Sequence, residues 1–388
     1  MSHKVMHLCL SSGWGGLEMY PGRIIPELGR QGWQAYGLAL KGSLVADSMR
    51  RAGIEPLTVS SRMAALLSVG SILGYLKAND VQVLHCHKSS DLRLGALLVS
   101  LNPRLRLFFT DHMGVTRSKR DLYHRWAYGR VTRLFSISET TRKRNLAAFP
   151  LPPERIERLY LGIDPAPYAA RLDGEARQAL RSELGIPDGA VAIGLPGRIT
   201  PGKGQRVFVE ALARLAERLP EQPSEHRWHA LIIGGLGAEH GSHADLVAEL
   251  RERLVATGLE QRVTLTGFRD DLPRCLEVLD IVCVPSRNEA FGLTVIEAMA
   301  ASKPVIGANS GAIAELIDET FGRLVDPEDA EGWAEAMHGL IQDADLRRGL
   351  GESGLERVQR DFTQRGHVAR LVEVYAEALE TDRHGSAK

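Results

Sequence analysis

Short apolar segments recur along the whole chain, and the stretches between them are long enough for helices. Buried strands that alternate with helices pair in parallel, because each connection must cross over the sheet. The alternation therefore predicts an α/β protein built on parallel sheets. The predicted strands lie at residues 4–10, 35–40, 81–86, 105–110, 190–195, 229–233, 263–267, 281–284 and 304–307.

The chain is long enough for two such domains. It has 388 residues, which provides two hydrophobic cores of ordinary size. Pro165 and Pro167 mark an irregular linker between the two runs of predicted strands. We expect the boundary near Asp173, with an N-terminal domain at 1–173 and a C-terminal domain at 174–388.

Residues 285–304 contain the strongest candidate ligand site. Glu289 lies in a loop that follows a predicted strand, and Glu297 lies in an apolar helix predicted at 293–301. A carboxylate in such a helix needs hydrogen-bond donors, and sugar hydroxyls would supply them. A strand, a loop and a helix also leave backbone N–H groups free for a phosphate, and Gly292 lets the main chain approach it. The alternative is a pair of acids bonded to neighbouring backbone.

Two cations upstream form a second candidate site. Arg198 and Lys203 flank a turn rich in glycine and proline, which a helix follows from about Gln205. Two cations over a turn that leads into a helix N-terminus are typical of an anion site. This pattern predicts a place for a phosphate or diphosphate.

The first half has a glycine-rich loop at residues 11–16, after the first predicted strand. Such a loop, which includes Gly15 and Gly16, can place backbone N–H groups against a diphosphate. A helix should follow near residues 17–30, although Pro21 and Pro26 count against it. The loop lacks the G-x-G-x-x-G fingerprint, so a dinucleotide-dependent dehydrogenase is weakly supported.

Histidines end two other predicted strands of the first half. His85 and His87 alternate on one strand and should face the same side, but no third or fourth ligand is nearby in the sequence, which argues against zinc. Because ligands of parallel sheets bind beyond the carboxyl ends of the strands, His87 and Lys88 are candidates for binding an acceptor. His112 follows the next strand, where a capping or core role is the alternative.

The block at 285–304 resembles the E-x7-E signature of glycosyltransferase family 4, the retaining sugar-nucleotide transferases of GT-B fold. The resemblance implies two Rossmann-like domains that face each other across a cleft, with the last helix crossing back to the N-terminal domain. A second segment, at 161–164, resembles the Asn-Gly-Val-Asp segment that closes the first domain in this family. It departs from the family at Leu161, which stands where the family has the asparagine. The matching residues are Pro285-Ser286, Glu289-Ala290-Phe291-Gly292, Glu297-Ala298-Met299-Ala300 and Pro304-Val305.

The resemblance also implies roles for single residues. Glu289 would hold hydroxyls of the transferred sugar, and Glu297 would hold the ribose of the nucleotide. Arg198 and Lys203 would bind the donor diphosphate, and His112 would lie near the transferred sugar. The implied catalytic residues are His112, Arg198, Lys203 and Glu289, and the implied donor-binding residues are Gly15, Gly16, Phe291, Gly292, Leu293, Thr294 and Glu297.

Transfer from a nucleoside diphosphate requires fixed positive charge at the leaving group. Metal-dependent transferases hold a metal with a D-x-D motif, and Asp343-Ala-Asp345 fits that pattern but lies far from the other motifs. We read it as a surface pair. Arg198, Lys203 and the helix start at Leu293 supply the charge instead, so we expect no metal and no other cofactor.

Charge is distributed unevenly along the chain. Residues 1–185 contain 26 Lys and Arg against 15 Asp and Glu, a net of +11, while the remaining 22 against 33 give −11. The densest basic part is 117–158, where aromatic residues are interleaved. It suits an anionic membrane surface or a phosphorylated acceptor, whereas nucleic acid and a merely solvated face are the alternatives.

The leading hypothesis is a retaining, hexosyltransferase-type glycosyltransferase that moves a sugar from a nucleotide-sugar donor to a glycan or glycolipid. Lipopolysaccharide core or a related cell-envelope polysaccharide is the expected product, and nucleic acid is not an expected partner. A catalytically silent nucleotide-sugar scaffold or sensor is the alternative. The start lacks an apolar signal core and no run of residues is long enough to span a membrane, so we expect a cytoplasmic protein, peripheral on the inner face of the membrane.

Overall fold

The computed structural model describes residues 3–115, 117–219 and 228–385, and the chain divides into two compact units. Unit 1 comprises Met1–Gly162 and Gln364–Lys388, and unit 2 comprises Ile163–Thr363. Each unit is built on one sheet whose neighbouring strands all pair in parallel. The predicted α/β class with parallel sheets is confirmed.

Unit 1 has a sheet of seven strands in the order β3-β2-β1-β4-β5-β6-β7. The strands are β1 (His3–Cys9), β2 (Trp33–Leu40), β3 (Leu57–Val59), β4 (Val83–Cys86), β5 (Arg106–Asp111), β6 (Val131–Ser136) and β7 (Ile156–Arg158). The helices are α1 (Gly16–Arg30), α2 (Leu44–Arg51), α3 (Arg62–Leu67), α4 (Val69–Ala78), α5 (Leu92–Leu101), α6 (Leu122–Tyr128), α7 (Glu139–Ala148) and, from the end of the chain, α17 (Gln364–Gly385).

Unit 2 has a sheet of six strands in the order β10-β9-β8-β11-β12-β13. The strands are β8 (Val191–Pro196), β9 (Trp228–Ile233), β10 (Val263–Gly267), β11 (Ile281–Val284), β12 (Val305–Ala308) and β13 (Gly322–Val325). The helices are α8 (Ala166–Ala169), α9 (Gly174–Glu183), α10 (Gln205–Arg218), α11 (Ala244–Ala256), α12 (Leu272–Val278), α13 (Leu293–Ala300), α14 (Ile313–Leu316), α15 (Ala330–Gln342) and α16 (Ala344–Asp361).

Helix α1 forms in spite of its two prolines. Pro21 and Pro26 both lie inside it, and its buried face includes Ile24 and Leu28. Gly22 brings α1 close to α2, since a Cβ at this position would lie 2.1 Å from the Ser48 Oγ. Apolar burial and this close packing stabilise a helix that proline alone disfavours.

The boundary between the units lies between Gly162 and Ile163, ahead of the predicted one at Asp173. Ile163 forms a parallel bridge with Thr363, and its N–H donates to the Phe362 carbonyl at 2.9 Å. Further along the same segment, an Arg171 Nη1 donates to a Glu277 carboxylate oxygen at 2.7 Å. These contacts tie residues 163–173 to unit 2, so the irregular segment that the prolines mark is a part of that unit.

Each sheet reverses its strand order at one point. In unit 1 the reversal lies between β1 and β4, and in unit 2 it lies between β8 and β11. At such a switch point the loops that leave the two strands run in opposite directions and open a crevice, where ligands of parallel sheets bind. In both units, the loops after these strands carry most of the residues that sequence motifs single out.

The four cysteines, Cys9, Cys86, Cys275 and Cys283, are free and buried. This agrees with the strand-like sequences around three of them. Among the helices that the structure describes, none is both long and apolar enough to cross a membrane.

Candidate functional site

In unit 2, the loops that follow β8 and β11 pack directly on each other. Gly204, with a φ of +77°, immediately precedes α10, and a Cβ there would lie 2.3 Å from the Pro285 carbonyl oxygen. The Arg287 N–H donates to the Gly202 carbonyl at 2.9 Å. Glycine at position 204 therefore permits the contact that joins the two motifs at the switch point.

The Lys203 ammonium lies 2.7 Å from Glu289 Oε2 and donates a hydrogen bond to it. The two side chains retain 28% and 25% of their exposure, so solvent and ligands can reach the pair. A diphosphate at this switch point would compete with Glu289 for the ammonium group. The structure thus brings together the basic turn and the first acid of the E-x7-E block.

The backbone around Glu289 is fixed by the loop that follows β12. The Ala312 N–H donates to the Glu289 carbonyl at 2.9 Å, and the Asn288 N–H donates to Ser310 Oγ at 3.1 Å. Gly311 has a φ of +59°, and a Cβ there would lie 2.7 Å from both the N and O of Glu289. The Glu289 carboxylate is therefore held at the edge of the sheet by a loop with little freedom.

The start of α13 offers backbone donors. Gly292 precedes it with a φ of +106° and contributes no side-chain cap, so the N–H groups of Leu293 and Thr294 have no partner within the helix. The Phe291 ring is buried and packs edge-on against Phe362, with centroids 6.2 Å apart. Phe291 therefore shapes the turn, and any ligand contact there is through its backbone. Glu297 is buried in the second turn of the helix.

Arg198 is exposed beside the aromatic pair His240 and Phe268, and Phe268 opens the turn 268–271, near which the family resemblance implies that the nucleotide base packs. Its guanidinium passes close to Gly241 and makes no ion pair within the described part of the chain. His240 stacks on Phe268 with centroids 4.4 Å apart, and Phe268 is 58% exposed. The sequence did not show which side chain of this turn would meet the base, and Phe268 is the exposed aromatic residue there, immediately after β10. The pair is a flat surface on which a planar ring can stack.

In unit 1, Lys88 lies in the loop after β4 and contacts the glycine-rich loop. Its ammonium donates to Ser11 Oγ at 2.9 Å and lies 3.3 Å from Glu18 Oε1. Glu18 in turn accepts from Ser11 Oγ at 2.8 Å, and its carboxylate approaches the position of a Gly15 Cβ to 3.4 Å. Gly15 and Gly16 thus begin α1 beside an acid whose charge Lys88 offsets.

Buried histidines form a hydrogen-bonded network behind this edge. His7 Nδ1 lies 3.0 Å from His87 Nε2, and His87 Nδ1 lies 3.4 Å from His112 Nε2. His85 contacts Thr110 Oγ1 at 2.8 Å and also the hydroxyl of Tyr375. His87 and His112 are therefore neighbours, as two candidates at the ends of adjacent strands should be.

The sequence argument against zinc is wrong in one respect. We expected no third ligand near His85 and His87, but His7, His85 and His87 each offer a ring nitrogen, and these atoms lie within 4.8 Å of one another. His7 joins the group because β1 pairs with β4 in a register that sets His7 opposite His85. Strand pairing between distant segments is not visible in sequence spacing. The expectation that the reaction needs no metal remains a prediction.

Burial keeps these imidazoles neutral. It lowers the pKa of His7 and His112 to about 3 and that of His367 to about 4, and it also lowers the pKa of His85 and His87. A neutral imidazole donates one hydrogen bond and accepts one. At neutral pH, His112 therefore carries no charge and can take part in hydrogen bonds as a donor or as an acceptor.

Asp111, at the end of β5, is a second residue that the sequence did not single out. Its Oδ2 is buried without a hydrogen-bond partner among the described residues, and burial raises the pKa of the carboxyl. A cavity of about 290 Å³ is lined by Asp111 together with His87, Lys88 and Lys119. This cavity places one acid and three cations, Lys88, Arg117 and Lys119, at the edge of the sheet that Lys88 already marks.

The Asp343-Ala-Asp345 motif lies at a helix start. Asp343 caps α16, since its Oδ1 accepts the Leu346 N–H at 2.7 Å. Asp345 is exposed and pairs with Arg348 at 2.9 Å. Helix capping accounts for Asp343 and a surface ion pair accounts for Asp345, in agreement with the interpretation of the motif as a surface pair.

Two family profiles match the chain. The family described as Glycosyl transferases group 1 matches residues 176–357, and Glycosyltransferase Family 4 matches residues 14–167. The first match contains the basic turn and the E-x7-E block, and the second contains Gly15, Gly16, His87 and His112.

Named relatives agree with these profiles. The lipopolysaccharide core biosynthesis mannosyltransferase LpcC of Rhizobium leguminosarum bv. viciae is 30% identical over 308 residues, which are 78% of this chain and 80% of LpcC. A D-inositol 3-phosphate glycosyltransferase of Salinispora tropica is 33% identical over 238 residues, 60% of this chain and 48% of that protein. The chain thus spans about half the length of the latter kind of relative.

A solved structure shares the fold. Anabaena HepE, in complex with UDP and glucose, superposes with a TM-score of 0.79 at 22% identity, covering 97% of this chain and all of HepE. At this level of identity the likeness extends to the fold, which is GT-B.

Proposed function

The chain belongs to glycosyltransferase family 4, and from this premise we propose that it is a retaining glycosyltransferase that moves a hexose from a nucleotide-sugar to a glycan or glycolipid of the cell envelope. The observation that carries the proposal is the contact between Lys203 and Glu289 at the switch point of unit 2. Lys203 would bind a diphosphate and Glu289 would bind sugar hydroxyls, and one hydrogen bond holds the two side chains together. A protein of the same fold that does not transfer sugar would not need this pairing.

We propose that the donor binds at this switch point. Arg198 and Lys203 would bind the diphosphate, and the first N–H groups of α13 would add the partial positive charge of a helix start. The stack of His240 on Phe268 would receive the base, and Glu297 would bind the ribose. HepE supports a UDP-sugar as the first donor to test, and LpcC supports a mannose donor.

In the proposed reaction the bond between the anomeric carbon and the phosphate oxygen breaks, and the leaving nucleoside diphosphate takes both electrons. The acceptor hydroxyl attacks from the face that the phosphate leaves, and a phosphate oxygen takes its proton. Glu289 is then a positioning residue, and the hydrogen bond from Lys203 would hold its carboxylate where the sugar binds. The protein's main contribution is fixed positive charge at the leaving group.

We propose that the acceptor binds in the cavity lined by His87, Lys88 and Asp111 in unit 1. Arg117 and Lys119 also line this cavity, so it suits an acceptor that carries a phosphate or another anionic group. LpcC, named for lipopolysaccharide core biosynthesis, and the inositol 3-phosphate enzymes both support such an acceptor. A peripheral position on an anionic membrane, through the basic residues 117–158, remains part of the proposal.

A catalytically silent nucleotide-sugar scaffold is the competing function. A thermal-shift panel of UDP-glucose, GDP-mannose, ADP-glucose and dTDP-glucose would identify the donor, since a ligand that binds the folded state raises the midpoint. Slow hydrolysis of the responsive donor without acceptor supports a transferase, and binding without any hydrolysis supports the scaffold. Retention is tested by the anomeric configuration of the product, and activity in excess chelator tests independence from metal.

A further inference from the structure

Unit 1 has a second basic site on the edge of its sheet that carries the amino ends of the strands. Arg106 begins β5, while Arg130 and Arg155 immediately precede β6 and β7. Because these strands are parallel, their amino ends share one edge, opposite to the edge that carries His87 and His112. A cavity of about 420 Å³ opens there, lined by the three arginines, Arg133 and one face of α17. We refer to this cavity as the amino-edge pocket.

Neutral groups hold the arginines of the amino-edge pocket in place. Arg130 Nη1 donates to the Trp126 carbonyl at 2.8 Å, its Nε donates to Ser100 Oγ, and its guanidinium lies 4.8 Å from the centre of the Trp126 ring. Arg133 donates to the Thr132 carbonyl at 3.3 Å. Both side chains are half-buried, so their guanidinium groups are held close to one orientation.

Four arginines and one acid line the amino-edge pocket. Arg130, Arg133 and Arg155 form no ion pair with any carboxylate in residues 3–115, 117–219 and 228–380. One acid, Glu377, lines the pocket, and its carboxylate lies 3.7 Å from Arg370. Half-buried cations that face one cavity repel one another, and an anion of matching size relieves that repulsion.

We propose that the amino-edge pocket binds a phosphate-bearing anion with at least two negative charges, such as a diphosphate. Guanidinium groups pair with phosphate oxygens through two parallel hydrogen bonds, which a fixed set of arginines is well suited to make. The bound anion contacts both the strand edge and α17, since Val374 and Ala378 of that helix also line the pocket. Binding therefore ties residues 364–385 to the sheet, at a place separate from the sugar-transfer residues of unit 1.

Calorimetric titration of the full chain with inorganic pyrophosphate tests the proposal. Made in the Lys203→Gln background, which lacks a cation of the proposed donor site, the pocket variant Arg130→Gln/Arg133→Gln/Arg155→Gln should bind pyrophosphate at least about tenfold more weakly than Lys203→Gln alone, because three charge-assisted contacts are lost. The charge-matched control is Arg51→Gln/Arg251→Gln/Arg274→Gln, whose residues are exposed and lie outside the pocket. In the same background it should bind like Lys203→Gln alone. Equal weakening in both variants, or the affinity of Lys203→Gln alone in the pocket variant, overturns the proposal.

Two further variants distinguish the amino-edge pocket from the donor site and provide a substitute if the triple variant does not fold. Lys203→Gln removes a cation of the proposed donor site, so pyrophosphate binding that survives in this variant but is lost when the pocket substitutions are added to it is binding in unit 1. If Lys203→Gln abolishes all binding, the proposal fails. Arg155→Gln alone is the fallback should the triple variant not fold, and it too should weaken binding. The same titration with ADP shows whether the pocket prefers inorganic pyrophosphate or a diphosphate that is attached to a nucleoside.

Discussion

At the scale of single residues, the proposed donor site depends on one short ion pair. Lys203 and Glu289 are 2.7 Å apart and about a quarter exposed, so their attraction is partly screened by water. Such a pair adds little to stability but holds both groups where a ligand meets them. We therefore expect its removal to affect the chemistry far more than the folding.

Lys203→Ala and Glu289→Gln should each lower turnover by about 10²–10³-fold, because fixed charge and hydroxyl contacts at the reacting centre are lost. Steady-state kinetics with the identified donor measures the effect, and the double variant should lose less than the product of the two single losses. Glu249→Ala is the matched control, since it removes another ion pair of unit 2, with Arg206 at 2.5 Å. Unfolding of either site variant by circular dichroism would remove the support for these roles.

The buried histidines predict acid sensitivity. His7, His112 and His367 have pKa values of about 3, 3 and 4 in the folded chain, below the ordinary value of 6.5. As the pH falls below about 6.5, the unfolded chain takes up protons that the folded chain does not, so the free energy of unfolding falls. At pH 5 each such group costs about 2 kcal/mol. Urea unfolding of unit 1 at pH 7 and pH 5 measures the loss, and equal stability at both values contradicts this account.

Sequence motifs singled out Lys203, Glu289 and His112 as candidates, because each lies in a local pattern typical of a ligand site. His7 and Asp111 were not identified, for a physical reason. Their importance comes from strand pairing and burial, which bring residues together that are distant in the chain. Sequence spacing does not record such contacts.

At the scale of elements, the turn before α10 must pass close to the end of β11. Gly204 has a left-handed φ, and a Cβ there would lie 2.3 Å from the Pro285 carbonyl oxygen, whereas a Cβ at Gly202 would meet nothing within 4 Å. The position of Lys203 depends on this close approach. The close approach therefore requires a glycine at position 204 but not at position 202.

Gly204→Ala should lower turnover by about a hundredfold, since displacement of the turn by an ångström misplaces the Lys203 ammonium. It should also destabilise unit 2 by about 1–3 kcal/mol through strain. Gly202→Ala, in the same turn, should change neither property by much. The comparison uses kinetics and urea unfolding of both variants. Similar behaviour of the two would show that the close contact does not position Lys203.

Strand and helix types were largely predictable, because apolar segments and turn residues alternate clearly. Helix α1 was doubtful from sequence, since Pro21 and Pro26 oppose it locally. Its stability comes from packing on α2 and α17, which local propensity does not describe. The strands at 57–59 and 322–325 are short and half-buried, and their sequences carry little strand signal.

At the scale of the whole molecule, helix α17 completes unit 1 although it follows unit 2 in the chain. The Tyr375 ring is buried against Phe108 and Trp33, with centroid distances of 4.7 and 5.3 Å, and its hydroxyl contacts His85. The Tyr20 hydroxyl lies 2.7 Å from His367 Nε2. These contacts cover the face of the sheet that carries the histidine network.

Tyr375→Ala should destabilise unit 1 by about 3–5 kcal/mol, because a fully buried ring is replaced by a cavity. Hydrogen exchange should rise in residues 3–162 and stay unchanged in residues 163–363. Val255→Ala, which shortens a side chain exposed in α11, should leave exchange in both ranges at the wild-type level. A uniform rise throughout the chain would show that the two units do not unfold independently.

The return of α17 to unit 1 also has a consequence for synthesis on the ribosome. Domains generally fold as units in the order in which they emerge. Here the first sheet emerges early but lacks one covering helix, whereas residues 163–363 form a continuous unit that is complete before residues 364–385 are made. We expect the second unit to mature first and the first unit to wait, with an apolar face that chaperones can recognise, until residues 364–385 are translated.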